Sequence, residues 1–167
     1  MSARQEVSVT ANPKHDSCQM SRRHRRLYAV AAVISLLGLA DALYLTIEHI
    51  TGQSVRCTIV AGCSEVLSSS YAVVAGVPLA GIGAAAYFSA FSLATFAAFG
   101  YRIAASLLVF LVCSMSLVAL WLIYLQAYVI RAFCQFCLLS AAITFVLTAL
   151  VVIARSLPVS NSRLPIN

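Results

Sequence analysis

The chain has 167 residues, 62% of them hydrophobic and 10% charged, with a mean hydropathy of +0.94, a balance that excludes an ordinary soluble domain and belongs to a membrane protein. Subtracting four spans from that length predicts no separate soluble domain, so any chemistry is expected in or beside the bilayer. The formal charge of +6 does not point to nucleic acid, because five of the eleven basic residues, Lys14, Arg22, Arg23, Arg25 and Arg26, precede the first apolar run and set topology there.

In chain order, residues 1–26 form a basic tail expected in the cytoplasm, and four apolar stretches follow at 27–47, 77–99, 103–130 and 134–154. Each has the roughly 20 residues a membrane helix needs. Ala40-Asp41-Ala42 resembles a signal-peptidase site, but its apolar run exceeds the signal core of roughly 7 to 15 residues, so the stretch is kept as a helix. Asp41 lies towards that helix's outer end, where its carboxyl needs a partner, and a hydrogen bond to a neighbouring helix is expected ahead of a part in proton movement. Glu48 and His49 follow as a solvated pair.

Residues 48–62 read as a polar loop, and 63–74, with apolar Val66, Leu67, Val73 and Val74, as a short helix on the membrane surface. Gly76-Val77-Pro78 opens the second span, with the proline accommodated in a first helical turn, where its missing donor has no partner anyway. The third stretch is long enough to tilt or project, and its end, Tyr124-Leu125-Gln126-Ala127-Tyr128, has the amphipathic, tyrosine-bearing character of an interface. With the first tail inside, and Arg4 at its remote tip left uncounted, basic residues number eight inside (the five above, Arg102, Arg155 and Arg163) and two outside (Arg56 and Arg131). That asymmetry puts 48–76 and 131–133 outside and returns 155–167 to the cytoplasm.

Four of the six cysteines then face the oxidising side: Cys57 and Cys63 in the loop, and Cys134 and Cys137 in Cys-Gln-Phe-Cys at the fourth helix's start. Cys18 and Cys113 read as a free thiol and a small core residue. Amide donors and the dipole at a helix start stabilise a thiolate, so a Cys-x-x-Cys there can cycle between dithiol and disulfide. At the edge of the hydrocarbon layer it can meet a lipid-dissolved quinone, while the loop pair meets water and proteins. Two static disulfides remain an alternative for these residues. A zinc site of all four is a third, although Cys-x5-Cys opposite Cys-x-x-Cys lacks the two knuckle spacings of a zinc ribbon.

The order and separation of several motifs resemble the vitamin K epoxide reductase family, notably its bacterial members: Asp41-Ala42-Leu43-Tyr44-Leu45-Thr46, Cys57, Cys63-Ser64-Glu65-Val66-Leu67-Ser68-Ser69-Ser70, Gly76-Val77-Pro78-Leu79 with Gly83 and Tyr87, and Cys134-Gln135-Phe136-Cys137. The likeness covers roughly residues 27–154, the four-helix domain. It implies that Cys137 is nearest the quinone, Cys134 exchanges with Cys63, Cys57 faces an external protein, and Ser69 lies near the quinone site. The alanines at 84–86 and Gly81 and Gly83 are expected to serve helix packing. Vertebrate members carry Thr-Tyr-Ala after the Cys-x-x-Cys where this chain reads Leu139-Ser140-Ala141, and their second-helix asparagine is not evident, so the resemblance does not extend to epoxide reduction.

The expected fold is an all-α membrane protein: a bundle of four transmembrane helices with an extracytoplasmic loop and a short interfacial helix between the first two. The expected function is a thiol:quinone oxidoreductase that reoxidises a thioredoxin-fold partner of the DsbA kind and passes electrons through Cys57, Cys63, Cys134 and Cys137 to a ubiquinone or menaquinone. With no thioredoxin-like domain after the last helix, that partner is expected to be a separate protein, and the expected address is a bacterial inner membrane with both termini cytoplasmic. A DsbB-like oxidase would carry its Cys-x-x-Cys in the first outer loop. From another class, the chain could be a channel or a membrane subunit braced by disulfides.

Overall fold

The apolar stretches fold into four helices long and apolar enough to cross a membrane, seen in a computed structural model that describes residues 22–51, 62–69, 72–74 and 76–156. The parts of the tails at 1–21 and 157–167, with Cys18, and the loop residues 52–61, with Cys57, lie outside the described residues. Helix α1 spans Arg22–Thr51, extending beyond the apolar run at both ends because no glycine or proline interrupts Arg22–Arg26 or Glu48–Thr51. Its 30 residues rise about 45 Å, more than the roughly 30 Å of hydrocarbon, so its basic first turn and its last turn belong to the interfaces.

Two local expectations are corrected. The surface helix α2 is only Cys63–Ser68, because the backbone turns extended at Ser69 (ψ 151°), and strand β1 (Val73–Val74) pairs antiparallel with β2 (Val77–Pro78). Pro78 therefore sits outside the first helical turn: it pairs with Val73, with ψ 130°, and α3 begins at Leu79. The hairpin turns at Gly76, whose φ of 82° suits glycine, and the Leu79 amide donates to the Ala72 carbonyl at 2.8 Å, closing it onto the helix.

Helices α3 (Leu79–Ala98), α4 (Arg102–Tyr124) and α5 (Gln135–Ser156) complete the bundle. Around the bundle the order is α1, α3, α4, α5, with α5 returning against α1. At the end carrying the α3–α4 turn, small side chains draw the helices together: Ala31, Ala90, Ala94, Ala97 and Ala154 are buried with Leu108, Leu147 and Val151. Hydroxyls inside the spans are satisfied locally, as Ser35 donates to the Ala31 carbonyl at 2.9 Å, or across helices, as Ser116 and Thr148 meet at 2.7 Å. Large apolar residues such as Leu37, Phe88, Phe110 and Leu117 point outward, where lipid covers them.

The end of the third span departs from α-geometry. After Tyr124, Leu125–Ile130 form π-helical turns, and Arg131 stops them in the left-handed region at φ 54°. Trp121, Tyr124 and Tyr128 stack in succession on the exposed side, with ring centroids 6.1 and 5.0 Å apart. Tyr124 and Tyr128 are exposed, as the interfacial reading of this segment requires. That reading fails for Gln126, which turns inward and is 3% exposed.

Candidate functional site

The site lies at the opposite end of the bundle from the alanine-rich contact, where the start of α5 meets α1, α2 and the π-helical segment. Cys134 immediately precedes α5 and acts as its cap: its carbonyl accepts the Leu138 amide at 3.0 Å, and its sulfur accepts the Cys137 amide at 3.4 Å. Its own amide donates to Gln126 Oε1 at 2.9 Å, so the main chain of Cys134 is held on both sides. The residue is fully buried, at 0% exposure.

Hydrogen bonding from the Cys137 thiol is the largest influence on Cys134. Together with the Cys137 and Phe136 amides it draws the Cys134 thiol down to about 7, against the opposing effects of burial and of the Asp41 carboxylate. This is the thiolate stabilisation expected of a helix start, and it falls on the first cysteine of Cys-x-x-Cys. Cys134 and Cys137 are both free thiols.

Cys63 opens α2, is 1% exposed and is disulfide-bonded. It packs in one cluster with Cys134, Cys137, Leu45, Val66 and Phe136. Gly62 brings it there, since a β-carbon on Gly62 would stand 2.9 Å from the Phe133 carbonyl and 3.2 Å from the Ala132 side chain. The Phe136 ring lies 5.2 Å from that of Tyr44, tying the start of α5 to α1.

Beside this cluster a cavity of about 360 Å³ opens between the helices, lined mostly by apolar side chains. Cys137 is in its wall; Cys134 and Cys63 are not. Ser69 also lines it, with its hydroxyl donating to the Val66 carbonyl at 2.7 Å, so that oxygen faces the cavity as an acceptor. Gly83 lines it and finds open space where a side chain would stand, while a β-carbon on Gly81 would meet the Thr46 methyl at 3.7 Å. The floor is a hydroxyl network: Tyr87 donates to the Ser140 carbonyl at 2.8 Å and meets the hydroxyls of Ser140 (2.9 Å) and Thr144 (2.8 Å). Its ring fills the space over Gly38, which no β-carbon could share.

The structure thus brings Cys63, Cys134, Cys137 and Ser69 to one end of the bundle, whereas Cys57 lies outside the described residues and Cys113, expected as a small core residue, instead faces outward from α4. The hydrogen bond expected for Asp41 is absent on one side, because its buried Oδ2 has no partner among the described residues. Sequence reading missed Gln126. Its one signal was a carboxamide in an otherwise apolar run, which the flanking tyrosines disguised as interface.

The comparison with known families agrees with the helical membrane bundle. The model described as Vitamin K epoxide reductase family matches residues 29–152, nearly the whole of the four spans. The chain is a multi-pass membrane protein of the vitamin K epoxide reductase family, whose members are thiol–disulfide oxidoreductases that use quinones.

Proposed function

We propose that this protein oxidises the dithiol of a separate thioredoxin-fold partner of the DsbA kind and delivers the electrons to a membrane quinone, through Cys57 and Cys63 and then Cys134 and Cys137. The observation that carries this reading is that Cys137 lines a largely apolar cavity while Cys134, its thiolate-prone neighbour, is packed with Cys63 behind it. A largely apolar cleft with a few polar groups suits a flat, poorly soluble dione ring.

A partner thiolate attacks the disulfide between Cys57 and Cys63, and resolution of the mixed disulfide releases the partner oxidised and leaves the loop pair as a dithiol. Cys63 then attacks the disulfide of the helix pair at Cys134, and closure of the loop disulfide leaves Cys134 and Cys137 reduced. A bound quinone supplies the two-electron acceptor. The Cys134 thiolate forms the disulfide with Cys137 Sγ as the Cys137 S–H bond breaks, and the two electrons released would pass to the quinone. One proton comes from the Cys137 thiol and one from the ionisation of Cys134, so a disulfide and a hydroquinone balance a dithiol and a quinone. Direction follows reduction potential, with about 30 mV worth about 1.4 kcal/mol for a two-electron couple.

The distribution of basic residues supports both termini in the cytoplasm and the cysteines on the outer side of a bacterial inner membrane. The test is quinone reduction by purified protein in lipid nanodiscs, fed by a reduced thioredoxin-fold oxidase. Turnover should disappear in Cys137→Ser with every donor. In Cys57→Ser it should disappear with the protein donor but persist with a small-molecule thiol. No turnover by the unmodified protein across ubiquinone and menaquinone would leave a disulfide-braced membrane protein as the better reading.

A further inference from the structure

Hydrogen-bond bookkeeping in the cavity singles out one donor. The hydroxyl protons of its wall are already committed: Ser69 to the Val66 carbonyl, Ser114 to the Phe110 carbonyl at 2.9 Å, and Tyr87 to the Ser140 carbonyl. With the Tyr87 proton given to that carbonyl, its contacts with Ser140 Oγ at 2.9 Å and Thr144 Oγ1 at 2.8 Å take their protons from Ser140 and Thr144. Each hydroxyl has a single proton, so these groups can accept from a ligand but not donate to it without breaking a bond. Two lining side chains keep an N–H to give, Gln126 and His49. They differ in depth, because His49 is partly exposed in the last turn of α1 whereas Gln126 is 3% exposed.

The chemistry of Gln126 is unambiguous. The Cys134 amide is a donor, so the atom it meets at 2.9 Å must be the carboxamide oxygen, and the NH₂ is left to donate. A quinone carbonyl accepts hydrogen bonds and carries none to donate, so it complements an N–H on a residue that lines the cavity.

We propose that Gln126 binds the quinone, donating from Nε2 to one of its carbonyl oxygens while Oε1 holds Cys134, so that one side chain sets the acceptor ring relative to the cysteine pair; this rests on the quinone chemistry proposed above. The π-helical turns and the left-handed stop at Arg131 carry this side chain inward beside the start of α5. Gln126 transfers no proton. It selects ligands with an acceptor oxygen and strengthens its bond as charge builds on that oxygen during reduction.

The test is equilibrium binding to the oxidised protein in nanodiscs, in a Cys18→Ser, Cys113→Ser background so that no thiol remains, with menadione as the dione probe and methylnaphthalene as its carbonyl-free counterpart. Gln126→Met, similar in shape but without the N–H, should weaken menadione binding about tenfold, the value of one hydrogen bond, and leave methylnaphthalene binding unchanged. Gln126→Glu at alkaline pH keeps an acceptor for the Cys134 amide and should show the same selective loss, which covers the case of a poorly folded methionine variant. Equal loss for both probes would make Gln126 a packing residue and overturn the proposal. So would unchanged menadione binding, or a selective loss found in His49→Leu instead. Menadione that binds through Gln126 but is never reduced would defeat the proposed function and leave this site standing. Reduction without dependence on Gln126 would do the reverse.

Discussion

Replacing Cys137 with alanine removes the thiol proton that does most to hold Cys134 at about 7, so the Cys134 titration should move up towards the ordinary value of 9.0. A two-unit shift sets the scale, because burial and the Asp41 carboxylate still push the thiol up while the amides of residues 136 and 137 still draw it down. At pH 7 it would cut the thiolate fraction from about one half to about one in a hundred. A more basic thiolate is also a better nucleophile; with a Brønsted slope of about 0.45, two units return about eightfold, leaving a net rate loss of about sixfold. The assay is thiolate ultraviolet absorbance, together with the rate of carbamidomethylation of Cys134 read by peptide mass spectrometry, against pH. Both use protein whose Cys18, Cys57, Cys63 and Cys113 are serines, with Cys134→Ser as the blank. A midpoint that stays near 7 in Cys137→Ala would refute the reasoning and assign the stabilisation to the helix start alone.

The same depressed titration fixes a sign for stability. The folded value, about 7, lies below the unfolded 9.0, so the unfolded chain binds more protons between them. The reduced protein should therefore gain stability as pH rises from about 7 to about 9 in thermal melts, and Cys134→Ser should flatten that rise. Gly38→Ala would drive a methyl into the Tyr87 ring and should lower the melting temperature more than Tyr87→Phe, which forfeits about 1 kcal/mol of hydrogen bonding while keeping the ring; the reverse order would show that α1 can move aside. Gly83→Phe adds a side chain where nothing stands within 4 Å, so it should weaken quinone binding at unchanged melting temperature. A variant that still binds quinone normally would place the ligand elsewhere.

Much of this architecture is legible without coordinates because lipid is a severe solvent. Unbroken apolar runs of about 20 residues have one economical fate, and the clustering of arginines before the first run predicts its orientation by the same physics. The Cys-Gln-Phe-Cys motif could be assigned to a helix start and to thiolate chemistry from local rules. Less was legible where tertiary pairing overrides pattern: the proposed surface helix shortens to Cys63–Ser68, and Pro78 joins a strand, because a hairpin offers their backbone partners that no periodicity announces.

The sequence by itself determined the spans, the two cysteine pairs and the family resemblance, all of which depend on composition and short-range spacing. Only the tertiary structure decided that Cys137 lines the cavity and that Gln126 reaches the Cys134 amide. Those relations depend on how four helices turn about their own axes and on a π-helical shift at residues 125–130, quantities that are set by packing between segments and that no single segment encodes.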